Sequence, residues 1–145
     1  MATGARIDPY RNFSFRVEID GITQAGFSEV TGFSASTDPI EYREGGFENT
    51  VRKLPGLTKY SNITFKWGLT DSSELCDWYQ DVVKGKIQRR NGSIVLIDLE
   101  GQDKCRWDFK DAWPTKYDPV DFNAKGTDVA IETLELVTEK LERVK

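Results

Sequence analysis

Ser93-Ile94-Val95-Leu96-Ile97-Asp98-Leu99 is followed, across Gly101, by Lys104-Cys105-Arg106-Trp107-Asp108-Phe109-Lys110. The second stretch alternates, with Cys105, Trp107 and Phe109 on one side and Lys104, Arg106, Asp108 and Lys110 on the other. A period of two belongs to a strand with one buried and one solvated face. The first stretch holds four apolar residues in a row, the pattern of a strand covered on both faces. The break at Gly101 joins the two as a hairpin. Trp113-Pro114 is expected to close it, and Arg89-Arg90-Asn91-Gly92 reads as the turn before it, since Asn-Gly favours positive φ.

Working outward, the same period appears at Asn12–Asp20, where Phe13, Phe15, Val17 and Ile19 alternate with polar residues, and at Ser61–Gly68, with Ile63, Phe65 and Trp67 on one face. Ala25–Ser36 reads as a bent or bulged strand because Gly26 and Gly32 interrupt it. Ile40–Arg43 is a short strand. Residues 44–60, with Gly45-Gly46 and Pro55-Gly56, show neither period and read as a long loop, a length that in a compact domain usually marks function. One helix is signalled over about 72–84. Leu75, Trp78, Tyr79, Val82 and Val83 make an apolar stripe, Asp71 and Glu74 stand at near capping-box spacing, and Gly85 suits the C-terminal cap. Pro119–Gly126 is loop-like. For Asp128–Val144 the residues fit helix and strand equally.

The chain has 145 residues, the length of one domain over 1–145. Apolar residues make up 38%, enough to build a core. There is no histidine, which removes Ser-His-Asp and Cys-His catalysis and histidine-held zinc. Cys76 and Cys105 cannot make a four-cysteine metal site, and no cofactor motif such as GxxxxGK[ST] or GxGxxG is present. No apolar leader and no run long enough to span a membrane appears, so a reducing cytoplasm and free thiols are expected. A net charge of −4 gives no reason to expect duplex nucleic-acid binding.

Carboxylates are the remaining catalytic candidates. Glu41/Glu44, Asp71/Glu74 and Asp118/Asp121 are near neighbours, but none sits in an apolar context that would raise a pKa for acid–base work. Lys84, Lys86, Arg89 and Arg90 form a basic cluster after the helix, which reads as a helix end and an exposed turn. No catalytic constellation results, and the chain is read as not an enzyme and without cofactor or metal. What stands out is the glycine-, proline- and arginine-bearing loop. Its apolar members would be costly to leave exposed, so Gly45, Gly46, Phe47, Val51, Arg52, Lys53, Leu54 and Pro55 are the candidate residues for contact with another subunit or ring.

Several segments together carry a resemblance. They are Ala25-Gly26-Phe27-Ser28-Glu29-Val30-Thr31-Gly32-Phe33, Ile40-Glu41-Tyr42-Arg43-Glu44-Gly45-Gly46, Arg52-Lys53-Leu54-Pro55-Gly56-Leu57, Asn62-Ile63-Thr64, Arg90 to Leu96, Ala112-Trp113-Pro114, and Val129 to Leu136. In this order the chain resembles the inner tail-tube proteins of contractile phage tails and phage-tail-like contractile injection systems, over about residues 10–140. The resemblance implies a mainly β fold: two packed antiparallel sheets forming a barrel-like sandwich with one flanking helix, the C-terminal segment a strand. It implies a structural subunit that forms hexameric rings stacked into a tube, whose lumen conducts cargo protein or DNA. The partners implied are further copies, a sheath, baseplate or spike proteins and a tube cap. Assembly would occur in the cytoplasm and end inside the sheath of a tail-like particle or virion. A tube-initiating or baseplate adaptor shares this fold. A small-ligand-binding β-barrel is the alternative of a different class.

Overall fold

The computed structural model describes residues 14–23, 26–43, 45, 50–69, 71–119 and 130–145. Phe13, Ala25, Glu44, Gly46, Phe47, Asp121 and most of the expected loop after Pro119 lie outside the described residues. The elements are β1 (Ser14–Ile19), β2 (Phe27–Thr31), β3 (Ala35–Tyr42), β4 (Arg52–Tyr60), β5 (Ile63–Gly68), α1 (Glu74–Val83), β6 (Arg90–Ile97), β7 (Asp103–Asp118), β8 (Ile131–Val137) and β9 (Lys140–Arg143).

The strands run β1-β6-β7-β8-β5-β2, each pair antiparallel, with β9 also on β7. β7 makes this one path serve as two faces. Its first part pairs with β6 and β9, and Trp113–Asp118 pair with β8. Between them Asp111 adopts φ 54°, and its N–H donates to Asn91 Oδ1 at 3.0 Å. That left-handed residue turns the strand from one sheet into the other. The alternation read in the sequence then points inward from both sides. Val17, Ile19, Ile94 and Phe109 meet Ile63, Phe65, Trp67, Leu134 and Leu136 in one core. Phe65 and Phe109 touch across it at 6.0 Å between centroids, and Phe27 lies edge-on to both Phe65 and Trp67. Each such side chain contributes about 1.5–3 kcal/mol by leaving water. β1 and β2, at the two ends of the path, do not pair with each other, so among the described residues this is an open sandwich and not a closed barrel.

Val95 explains the unbroken apolar run of β6. Ile94 faces the core, while Val95 points the other way and is still fully buried. Its ladder neighbours are Arg16 and Arg106. Arg16 grips Asp103 with two hydrogen bonds, at 2.9 and 3.2 Å, and Arg106 bonds Glu18, Asp108 and Ser93. The two aliphatic stems flank the valine while their guanidinium groups stay in an ionic network. The hydrogen bond from Arg16 holds the Asp103 carboxyl below its ordinary range.

α1 packs Leu75 and Trp78 onto the core, and Trp78 Nε1 donates to the Gln88 carbonyl at 2.8 Å. Gly85 takes φ +84° as expected of a residue ending a helix. The start differs from the expected capping box. Ser73 is the N-cap, and the Glu74 carboxylate instead accepts hydrogen bonds from the N–H and hydroxyl of Thr23, tying α1 to the segment after β1.

Other sequence-based boundaries shift for stated reasons. The stretch read as one strand over 25–36 is cut by Gly32, at φ +85°, into β2 and the start of β3. The short strand expected at 40–43 is the end of that longer β3. Arg90-Asn91-Gly92 is not a turn: it opens β6, with Gly92 between Ile19 and Phe109 in register. Trp113-Pro114 does not end its strand, because the Asp111 bend redirects β7 toward β8. The largest correction concerns the loop expected over 44–60, since Arg52–Tyr60 is a strand paired with β3. Pro55 and Gly56 masked its period. The C-terminal segment is strand, as the resemblance implied. Both cysteines are free thiols.

Glu132 is a polar residue inside this core. It is 5% exposed, opposite Trp67 in the ladder, and accepts a hydrogen bond from the Tyr117 hydroxyl. Burial, reinforced by that bond, pushes the Tyr117 phenol well above its ordinary value of 10.0. A phenol whose folded pKa is raised stabilises the fold fully below the unfolded value, and the contribution is lost as pH climbs above it. Tyr117 therefore stays protonated in the native protein at about pH 11. Phenolate absorbance at that pH is expected to be equal in the wild type and in Tyr117→Phe. A native wild-type signal larger by one tyrosine would contradict this.

Candidate functional site

β3 and β4 form a two-stranded sheet of their own, hydrogen-bonded to none of the other described strands. The ribbon continues the β2–β5 pair beyond a joint. The joint is Gly32–Ser34 between β2 and β3, and Ser61-Asn62 between β4 and β5. Ser61 Oγ donates to the Gly32 carbonyl, meets Ser34 Oγ at 2.8 Å and accepts the Ser34 N–H at 3.0 Å, while the Ser61 N–H returns to the Ser34 carbonyl at 2.9 Å. Gly32 cannot be replaced without strain, because a Cβ there would stand 2.5 Å from the Asn62 carbonyl oxygen.

Past the joint the pairing is Ala35 with Tyr60, Thr37 with Thr58, Pro39 with Pro55, Ile40 with Leu54, Glu41 with Lys53 and Tyr42 with Arg52. The register slips between Thr37 and Pro39, which is where two prolines, each lacking an N–H for the ladder, face one another. Ile40, Leu54 and Tyr42 share one face with Arg52, and the Asp38–Lys59 ion pair lies on it too. Pro39, Pro55, Glu41 and Lys53 occupy the other.

All eight residues of β3 are exposed. Ile40 is 53% exposed, Leu54 50% and Leu57 74%, and Tyr42 and Val51 are also exposed. An isolated two-stranded ribbon is marginal in water, and apolar side chains held outward on one are an interaction surface rather than a core. The ribbon is also richly charged. Within the two strands themselves Arg52, Lys53 and Lys59 stand against Asp38 and Glu41, and with Arg43, Glu44 and Glu48 of the connection the charges balance.

Of the candidate contact residues, Arg52, Lys53, Leu54 and Pro55 stand on β4, exposed, each beside the β3 partner named above. Val51 precedes the strand and Gly45 lies in an exposed turn. Gly46 and Phe47 lie outside the described residues. Sequence reasoning missed Ile40 and Tyr42 as their companions. The signal was present, for they stand two apart and so share a face, but the four residues taken as a strand there were too few to give them a partner.

Comparison with known proteins places this geometry. No curated protein sequence matches the chain. Among solved structures it is similar to a chain of the extracellular contractile injection system PVC sheath–tube complex in the extended state, with 26% identity, TM-score 0.83, and 94% of this chain and 91% of that one covered. It is similar to a chain of the PVC sheath/tube terminator, also extended, at 27% identity and TM-score 0.81 over 99% of this chain and 100% of that one. It shares its fold with Hcp1 from Flavobacterium johnsoniae, at 19% identity and TM-score 0.57 over 90% and 94% of the two chains. The family model described as T4-like virus tail tube protein gp19 matches residues 11–142, and with nearly the whole chain inside that match the protein belongs to the T4-like tail tube family.

Proposed function

We propose that residues 1–145 act as one tube domain, which assembles into hexameric rings that stack as the inner tube of a contractile tail or injection system. The observation that carries this reading is the β3–β4 ribbon. It is exposed along both strands, holds Ile40, Tyr42 and Leu54 outward on one face, and is too thin to be stable alone. A neighbouring subunit would cover Ile40, Tyr42, Val51, Leu54 and Leu57 and complete a sheet around them. Gly45, Gly46, Phe47, Val51, Arg52, Lys53, Leu54 and Pro55 are the contact residues on this reading, with Arg52 and Lys53 meeting acidic groups of the neighbour.

The partners follow from the relatives, which were solved in sheath–tube and terminator assemblies. They are further copies of the chain, a sheath, a baseplate or spike and a tube cap, with cargo protein or DNA in the lumen. The chain is a building element and not an enzyme, holds no cofactor, and is assembled in the cytoplasm before it lies inside the sheath. Among the described residues no helix is long and apolar enough to cross a membrane.

Microscopy of the purified full-length chain tests the reading. Sixfold rings, stacking into tubes as concentration rises or when sheath and baseplate are present, are the expected result. A monomer of 16.5 kDa at every concentration, with no ring or tube in the presence of those partners, would overturn it.

A further inference from the structure

Two surface features have no role in the ribbon, and they are complementary. The first is the turn between β6 and β7. Asp98 Oδ1 accepts the N–H groups of Glu100 at 3.0 Å and Gln102 at 2.8 Å, and the Asp98 N–H donates to the Gln102 carbonyl at 3.0 Å. The Asp98 carboxylate also pairs with Lys104, and Gly101 stands at φ +81°. The backbone is thereby fixed, and it holds up Leu99, which is 80% exposed, with Glu100 beside it. A knob that is already ordered loses little conformational freedom on binding.

The second is the connection from α1 to β6. Val83 is 64% exposed and Ile87 54%, and between them lie exposed Lys84 and Lys86, neither with an ion-pair partner among the described residues. This connection is ordered too. The Lys84, Gly85 and Lys86 N–H groups donate to the carbonyls of Gln80, Val82 and Asp81 at 3.1, 3.0 and 2.7 Å. One feature is apolar with an acid beside it, and the other is apolar with two bases inside it. They lie at opposite ends of β6, which the connection enters at Arg90 and the turn leaves at Ile97. The eight residues of that strand span roughly 26 Å. Two unlike, complementary patches at opposite ends of one strand suit a head-to-tail contact between copies, the kind that can repeat from copy to copy.

Resting on the reading of the chain as a tube subunit, the geometry points to a copy of this chain in the next ring as the partner of both features. Leu99 of one copy seats between Val83 and Ile87 of the other, and Glu100 pairs with Lys84 or Lys86.

Sedimentation velocity of purified rings, read as ring-to-ring association with rising concentration, tests the assignment. Leu99→Asp is expected to leave rings intact and weaken their association about thirtyfold, the effect of losing a buried anchor. Glu100→Lys weakens it as well. Adding Lys84→Glu and Lys86→Glu to Glu100→Lys restores it, a recovery that a purely structural defect in the turn would not give. Wild-type rings that never associate, undiminished association of Leu99→Asp rings, or a combined charge swap no better than Glu100→Lys alone each overturn the proposal. If wild-type rings form but Leu99→Asp rings do not, Leu99 lies within the ring and the assignment between rings is also overturned. Absence of rings in the wild type instead overturns the tube reading itself.

Discussion

Replacing Gly92 with alanine is expected to destabilise the fold by about 3 kcal/mol or more, at the upper end of what overpacking does. Gly92 sits on β6 between Ile19 of β1 and Phe109 of β7. A Cβ there would stand 2.3 Å from Phe109 Cζ and 2.6 Å from the backbone oxygen of Glu18. The ring cannot retreat, because Phe109 is fully buried and packed on Phe65. The carbonyl cannot retreat either without opening the β1–β6 ladder. Thermal unfolding should show the midpoint falling by about 10 °C for a chain of this size. Gly45→Ala is the control: a Cβ there meets nothing within 4 Å, so its midpoint should move little. Equal midpoints for the two variants would refute the close-approach account.

The second large effect is on assembly and not on folding. Ile40→Asp combined with Leu54→Asp places two carboxylates on the apolar face of the ribbon, at positions that pair in the β3–β4 ladder. Both side chains are at least half exposed, so the free subunit has little burial to lose. Circular dichroism and the thermal midpoint should be close to wild type. Assembly should fail, because a buried interface would have to desolvate two unpaired charges, each costing several kcal/mol. Full-length tubes from this variant would remove the ribbon from the interface.

These two positions also show what the sequence could disclose. Gly92 was legible only as a turn residue, because Asn-Gly is a strong local turn signal. What outweighs it is tertiary: Phe109 fills the space a side chain would need, and Asn91 spends its side chain on holding Asp111 in its left-handed conformation. The ribbon was legible as a functional segment but not as a strand. Pro55-Gly56 interrupts the alternation just where the register slips, and a slip in register destroys period two while leaving a ladder intact. Strands with one clean apolar face, around Phe15, Phe65 and Phe109, were read correctly because the core that selects them is the same property that period two measures. Exposed strands such as β3 are selected by a surface outside the subunit, so their own sequence carries less of the signal. The helix stripe was sound, but Glu74 faced a competing partner in Thr23, and a single chain segment cannot reveal a bond made 51 residues away.

The shared strand β7 has a mechanical consequence. A tube subunit loaded along the tube bears compression and shear, and a two-layer sandwich is weakest where its layers slide over one another. Sliding is resisted only by dispersion contacts when the layers are separate. Here sixteen residues of continuous backbone belong to both layers, laddered to β6 and β9 on one side of Asp111 and to β8 on the other. Displacing one layer against the other therefore pulls along covalent chain and loads rows of hydrogen bonds in parallel, so the subunit yields as a unit instead of delaminating.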